Sequence, residues 1–139
     1  METARVTYRR ITTKTPATFL FMLDLSGSML EQIEFNGKSS PKSEVLALMV
    51  NRILGEILNR SLRENGYRDY FRIAIFGYCS NRVIQLLGDE DSGEFLTPSQ
   101  IDSLQTETLY YEVPRQLPDG RQYVATLSQR CWIKPHAEG

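Results

Sequence analysis

The sequence predicts an α/β fold built on an open parallel sheet, and three stretches carry that expectation. Residues 18–25, Thr18-Phe19-Leu20-Phe21-Met22-Leu23-Asp24-Leu25, begin as a continuous apolar run with no helical spacing of polar residues. That is the pattern of a strand buried on both faces. From Pro41 to about Glu64, Val45, Leu48, Met49, Ile53 and Ile57 recur with a period near 3.6, and Leu46, Val50, Leu54, Leu58 and Leu62 widen the apolar stripe. This is a helix laid flat on a sheet, stopped by Asn65-Gly66. Residues 70–79, Tyr70-Phe71-Arg72-Ile73-Ala74-Ile75-Phe76-Gly77-Tyr78-Cys79, read as a second strand, so the helix serves as a crossover between the two.

The first strand organises the chemistry. In open parallel sheets ligands bind beyond the carboxyl ends of the strands, and this one ends in Asp24-Leu25-Ser26-Gly27-Ser28-Met29. Asp24, Ser26 and Ser28 are two apart, so in an extended segment their side chains point the same way. Gly27 allows a tight turn without a Cβ in the way. A carboxylate and two hydroxyls are hard oxygen donors, which suits Mg²⁺ or Mn²⁺ rather than zinc, since no Cys or His stands nearby in sequence. One carboxylate leaves the ion's charge under-compensated, so such a site would welcome a carboxylate from a partner. The structural alternative is a serine-rich turn that caps the next helix.

The Asp-x-Ser-x-Ser pattern after a hydrophobic strand resembles the metal-ion-dependent adhesion site of von Willebrand factor A (vWA) domains. Asp24-Leu25-Ser26-Gly27-Ser28-Met29 matches the first motif of that site at every key position. The resemblance covers residues 17 to about 88 and implies a Rossmann-like vWA sheet with flanking helices. It also implies that Ser26 and Ser28 ligate the metal directly while Asp24 acts through water. The family's site takes a Thr and a later Asp from two further loops. No third apolar strand ending in Asp follows residue 88, and Thr97, Thr106 and Thr108 are not in matching contexts. Residues 132–139 look like the approach to the Thr-bearing loop. The expected organisation is therefore a polar arm over residues 1–16 and a partial vWA-like domain over 17–139. Residues 17–88 are its recognisable N-terminal half, and 89–139 form an insertion containing a β-hairpin. Such a half-domain leaves Phe19 to Leu23 with an unpaired edge, so either the rest of the domain lies on a continuation or a second chain, or the later segments pair in an unexpected way.

The remaining segments fill in around this frame. Residues 30–41 read as a polar loop with a turn at Asn36-Gly37, and Glu31 and Glu34 as solvated charges rather than ligands. Val6-Thr7-Tyr8 offers a short edge strand, and residues 82–87 return as an antiparallel strand. The acidic loop 88–94 lacks the spacing of an EF-hand. Residues 97–104 suit a short capped helix. Residues 108–113 and 121–127 flank Leu117-Pro118-Asp119-Gly120, which makes a hairpin.

Composition narrows the function. A chain of 139 residues is one domain's worth, and its net charge of −1 predicts no attraction to nucleic acid or anionic membrane. No apolar run approaches the roughly 18 residues of a membrane span, and the polar N-terminus lacks a secretory core, so a cytoplasmic protein is expected. Cys79 and Cys131 are too few for a zinc site and are expected as thiols. There is no G-x-S-x-G elbow, Walker loop or dinucleotide fingerprint. His136 is the only histidine, so Ser26–His136 is the sole nucleophile–base option, and a hydrolase is the lesser reading. The expected function is a non-enzymatic, metal-dependent protein-binding module using Asp24, Ser26 and Ser28. A fragment with an incomplete metal site and no independent activity is the alternative.

Overall fold

Eight consecutive residue pairs, Ala17↔Phe71 to Asp24↔Tyr78, join two strands in parallel and form the frame of the molecule. The computed structural model describes residues 10–89 and 92–138. The expected strand at Val6-Thr7-Tyr8, most of the polar arm, and Glu90-Asp91 of the acidic loop lie outside the described residues. In chain order the strands and helices are β1 (Ala17–Asp24), β2 (Gln32–Phe35), β3 (Lys38–Pro41), α1 (Lys42–Ser61), β4 (Leu62–Arg63), β5 (Gly66–Tyr67), β6 (Phe71–Cys79), β7 (Arg82–Gln85), α2 (Pro98–Ser103), β8 (Glu107–Gln116) and β9 (Gln122–Cys131). A 3₁₀ turn, Gly27–Leu30, follows β1.

The expected Rossmann-like vWA sheet with flanking helices is not what these elements build. Among the described residues strand outweighs helix, there are two α-helices, and the strands are divided among four small sheets. The largest has three strands in the order β1-β6-β7, and only β1–β6 is parallel. The reason is the lack of further crossovers. A parallel pair needs a connection of a dozen residues or more. α1 provides one, whereas α2 has six residues. The last third of the chain instead folds as an antiparallel ribbon, β8–β9, with ten residues in each strand.

Local elements follow their sequence signals with shifted bounds. The predicted loop 30–41 contains a hairpin, β2–β3, because Asn36 and Gly37 both adopt positive φ (53° and 75°), the geometry of a two-residue hairpin turn. α1 stops at Ser61, one turn before Glu64, because Leu62 turns extended and pairs with Tyr67. Thr97 and Gln100 cap α2 reciprocally, as a Thr-Pro-x-Gln start predicts. β8 and β9 each run several residues past the C-terminal bound predicted for them, to Gln116 and Cys131.

The core lies between one face of β1-β6-β7 and α1. Leu54 and Leu58 of α1 and Ile73 and Ile75 of β6 are fully buried, joined by Leu23, Leu25, Ile101, Trp132 and Ile133. Among the described residues the opposite sheet face carries no helix of comparable length, and Leu20 and Met22 of β1 are 54% and 48% exposed.

Two polar brackets fix the base of the ribbon to this core. Buried Asn51 of α1 donates to Ile133 O (3.0 Å) and accepts from Trp132 N (2.8 Å) and Ile133 N (3.1 Å). The second is Arg130, which pairs with Asp102 of α2, lies 4.8 Å over the Trp132 ring and holds the Asp102 carboxyl below the usual range. Trp132 Nε1 donates to Ile101 O (2.7 Å). Asn51→Ala would orphan three buried backbone groups and should destabilise the fold by about 2–4 kcal/mol. Urea unfolding followed by Trp132 fluorescence would read this as a lower midpoint, and a loss under about 0.5 kcal/mol would contradict the bracket.

Candidate functional site

Asp24 is the last residue of β1 and lies beside Tyr78 of β6. The chain leaves the sheet at Leu25, whose N–H still donates to Tyr78 O (2.8 Å). Leu25 is 2% exposed and anchors the loop by packing over Gly77. A Cβ on Gly77 would stand 2.2 Å from Leu25 Cδ1 and 2.6 Å from Cγ, so only glycine lets the strand and the loop approach this closely. One buried side chain thus locks the loop while its two neighbours, Asp24 and Ser26, remain partly exposed.

The loop then turns back on itself. Asp24 Oδ1 accepts from Ser26 N (2.8 Å), a local side-chain-to-backbone turn. Met29 N donates to Ser26 O (3.0 Å) and Glu31 N to Ser28 O (3.1 Å), which closes the 3₁₀ turn. Ser26 Oγ and Ser28 Oγ lie 2.9 Å apart. The Asp24 carboxyl is held below the ordinary carboxylate range, first by the Ser26 N–H, then by the Ser26 hydroxyl and the positive charge of Lys42. All three residues named by the sequence are therefore brought together, with a charged carboxylate and two hydroxyls on one short turn. The capping alternative fares less well, since neither serine side chain caps the 3₁₀ turn and α1 begins only at Lys42.

The donor set is compatible with a hard cation. An octahedral ion with oxygens at about 2.1 Å has adjacent ligands roughly 3 Å apart, and the two serine oxygens already stand at that separation. Among the described residues no group of three or more His, Cys, Asp or Glu side chains is placed to hold a metal. Any cation here would depend on the hydroxyls of Ser26 and Ser28 as much as on Asp24. Glu31 is turned to Lys42 (2.9 Å).

A second group at this end of the sheet carries no local sequence signal. Glu138 N donates to Leu25 O (2.6 Å), so the C-terminal segment lies against the loop. Its carboxylate accepts from Arg82 Nε (3.0 Å) and Cys79 Sγ (3.1 Å) and lies 3.1 Å from His136 Nε2. The contacts with Cys79 and Arg82 span 59 and 56 residues of sequence, which is why no local signal announced them. The same carboxylate also engages the only histidine. Among the described residues no hydrogen bond joins His136 to Ser26, so the nucleophile–base pair is not assembled. The void bounded by Leu23, Leu25, Ala47 and His136 is about 10 Å³, about the least that admits one water. An open groove of about 520 Å³, lined by Ile11, Arg60, Arg63, Tyr70 and Phe71, lies at the other end of β6. The Asp24–Ser28 loop is thus a surface feature.

No family model matches the chain, and neither a curated protein nor a solved structure matches it.

The lock between Leu25 and Gly77 predicts a specific non-additivity. Gly77→Ala alone should cost roughly 1–3 kcal/mol by overpacking, and Leu25→Ala alone about 2–4 kcal/mol. In the double variant the new methyl occupies space that Leu25 has vacated, so the losses should sum to less than the two single values. Urea midpoints of the four proteins test this, and strict additivity would contradict the contact.

Proposed function

We propose that the chain is a metal-dependent protein-binding module, in which Asp24, Ser26 and Ser28 hold Mg²⁺ or Mn²⁺ and a partner's Asp or Glu completes the shell. The observation that carries this reading is the convergence of one ionised carboxylate and two hydroxyls 2.9 Å apart on a turn locked beside β6. Ser26 and Ser28 would be the direct ligands and Asp24 the charged support, as the resemblance to the metal-ion-dependent adhesion site implies. The bound ion would supply a positive charge with open coordination positions facing solvent. Two neutral ligands leave that charge largely uncompensated, which favours an anionic oxygen from outside. The void beside Leu25, about 10 Å³, is too small for a substrate molecule, and a partly exposed loop suits a carboxylate displayed on another protein. No helix among the described residues is long and apolar enough to cross a membrane. The two free thiols agree with a cytoplasmic setting for this reading.

Titration calorimetry of MnCl₂ into the full chain tests the proposal. The parent should bind one ion, Asp24→Ala should show no binding, and Ser26→Ala and Ser28→Ala should each weaken it by about tenfold or more. Equal heats for the parent and Asp24→Ala would overturn it, and absence of binding in the parent would leave the loop a structural turn.

The pH dependence follows from the sign of the Asp24 shift. A lowered pKa keeps the carboxylate ionised below the usual 3.8, so protons compete with the cation only in strong acid. Mn²⁺ affinity should stay flat from about pH 8 to pH 5 and fall only below about pH 4. A midpoint near pH 6.5 would point instead to a histidine, and would contradict the assignment.

A further inference from the structure

The geometry points to self-association of this chain through β1, with the β1 strands of two copies pairing antiparallel about a two-fold axis. β1 has β6 on one side and, among the described residues, no strand on the other. Ala17 N donates to Tyr70 O and Leu25 N to Tyr78 O, both at 2.8 Å. Parallel alternation therefore turns the backbone groups of residues 17, 19, 21, 23 and 25 toward β6 and leaves those of Thr18, Leu20, Met22 and Asp24 on the open side. Natural edge strands are blunted by lysine, proline, bulges or inward charges. From Ala17 to Leu23 this edge has none of them.

A second copy fits this edge in one register better than in others. Antiparallel pairing sets outward residues opposite one another. If Phe21 sits on the two-fold axis, Leu20 faces Met22 of the second copy and Thr18 faces its Asp24. Every outward residue then finds a partner, no like charges meet, and the two Phe21 rings form a cross-strand aromatic pair. Shifting the centre to Leu20 leaves Asp24 opposite Pro16, which has no N–H to give. Shifting it to Met22 places the Asp24 carboxylate opposite Leu20.

The side chains around the edge supply apolar area of the right order. Phe19, Leu20 and Met22 are 39%, 54% and 48% exposed. Leu96 pairs with Ile73 on the side of β6 away from β1, and Trp132 and α2 lie on that side too, so the Leu48–Asn51 flank of α1 faces away from β1. The opposite flank carries Met49 and Ile53, 51% and 42% exposed. A two-fold axis normal to the sheet sets both copies of α1 on one face with these flanks turned toward each other. The five side chains expose on the order of 450 Å² per copy, against about 800 Å² per partner in a stable dimer. The strand backbones and polar rim add to this, which predicts a dimer of micromolar strength.

Sedimentation equilibrium of the full chain up to about 200 μM reads the result. The parent should approach twice the 16.0 kDa chain mass. Leu20→Lys, an edge lysine at a solvent-facing position, should raise the dimer dissociation constant by at least about fiftyfold with unchanged far-ultraviolet circular dichroism. A parent that stays monomeric, an equally dimeric Leu20→Lys, or open-ended oligomers would each overturn the proposal. Should the variant fail to fold, amide exchange in the parent decides. The Thr18, Leu20 and Met22 amides should be as protected as those of Phe19 and Phe21 at dimer-forming concentration, and exchange within seconds would overturn it.

Discussion

The parallel ladder between β1 and β6 is the constraint on which the rest depends. Parallel strands cannot be joined by a tight turn, so the chain between them must cross over one face of the sheet. α1 makes that crossover, and its Leu54 and Leu58 bury the face that β1 and β6 present to it. The same ladder carries Asp24 to the carboxyl end of β1 beside Tyr78, the place where an open sheet leaves backbone and side chains free for a ligand. Leu25 over Gly77 then fixes the exit angle of the loop. The site is a consequence of the ladder and of one missing Cβ.

The last third of the chain seals this unit rather than extending it. Asn51 reaches from inside α1 to the backbone of Trp132 and Ile133, and Arg130 ties β9 to Asp102 on α2. Beyond its base, most of the β8–β9 ribbon is solvent-exposed, including Tyr110 at 72% and Val124 at 61%. A two-stranded ribbon is marginal by itself, so its order comes from the anchoring at Gln129–Cys131. The sheet itself gains no further parallel strand from this segment, and among the described residues β1 remains an edge.

Short-range features were legible in the sequence because their signals are local. The apolar run into Asp24, the helical period from Val45 to Leu58, the Asn36-Gly37 turn and the Thr97 cap each state their own geometry over a few residues. The sheet architecture was not legible. An apolar strand such as Phe19 to Leu23 reads as central, since its composition says that it should be buried on both faces. Whether neighbours exist to bury it depends on strands elsewhere in the chain, and β8 and β9 chose each other. The grouping of Asp24, Ser26 and Ser28 was legible in the sequence, but a 3₁₀ turn rather than an extended segment brings the two hydroxyls together. Its neighbours Cys79, Arg82, His136 and Glu138 were not legible, because the contact between Leu25 and Glu138 joins segments far apart in sequence.

The proposed activity rests on chemistry that a short turn can supply: an acidic group ionised at all physiological pH and two hydroxyls at ligand spacing. The most direct measurement is anomalous X-ray diffraction from crystals of the chain grown with Mn²⁺. One anomalous peak is expected about 2.1–2.3 Å from both Ser26 Oγ and Ser28 Oγ, with the Asp24 carboxylate in the adjoining shell. No peak at that turn, or a peak at His136 and Glu138 instead, would contradict it.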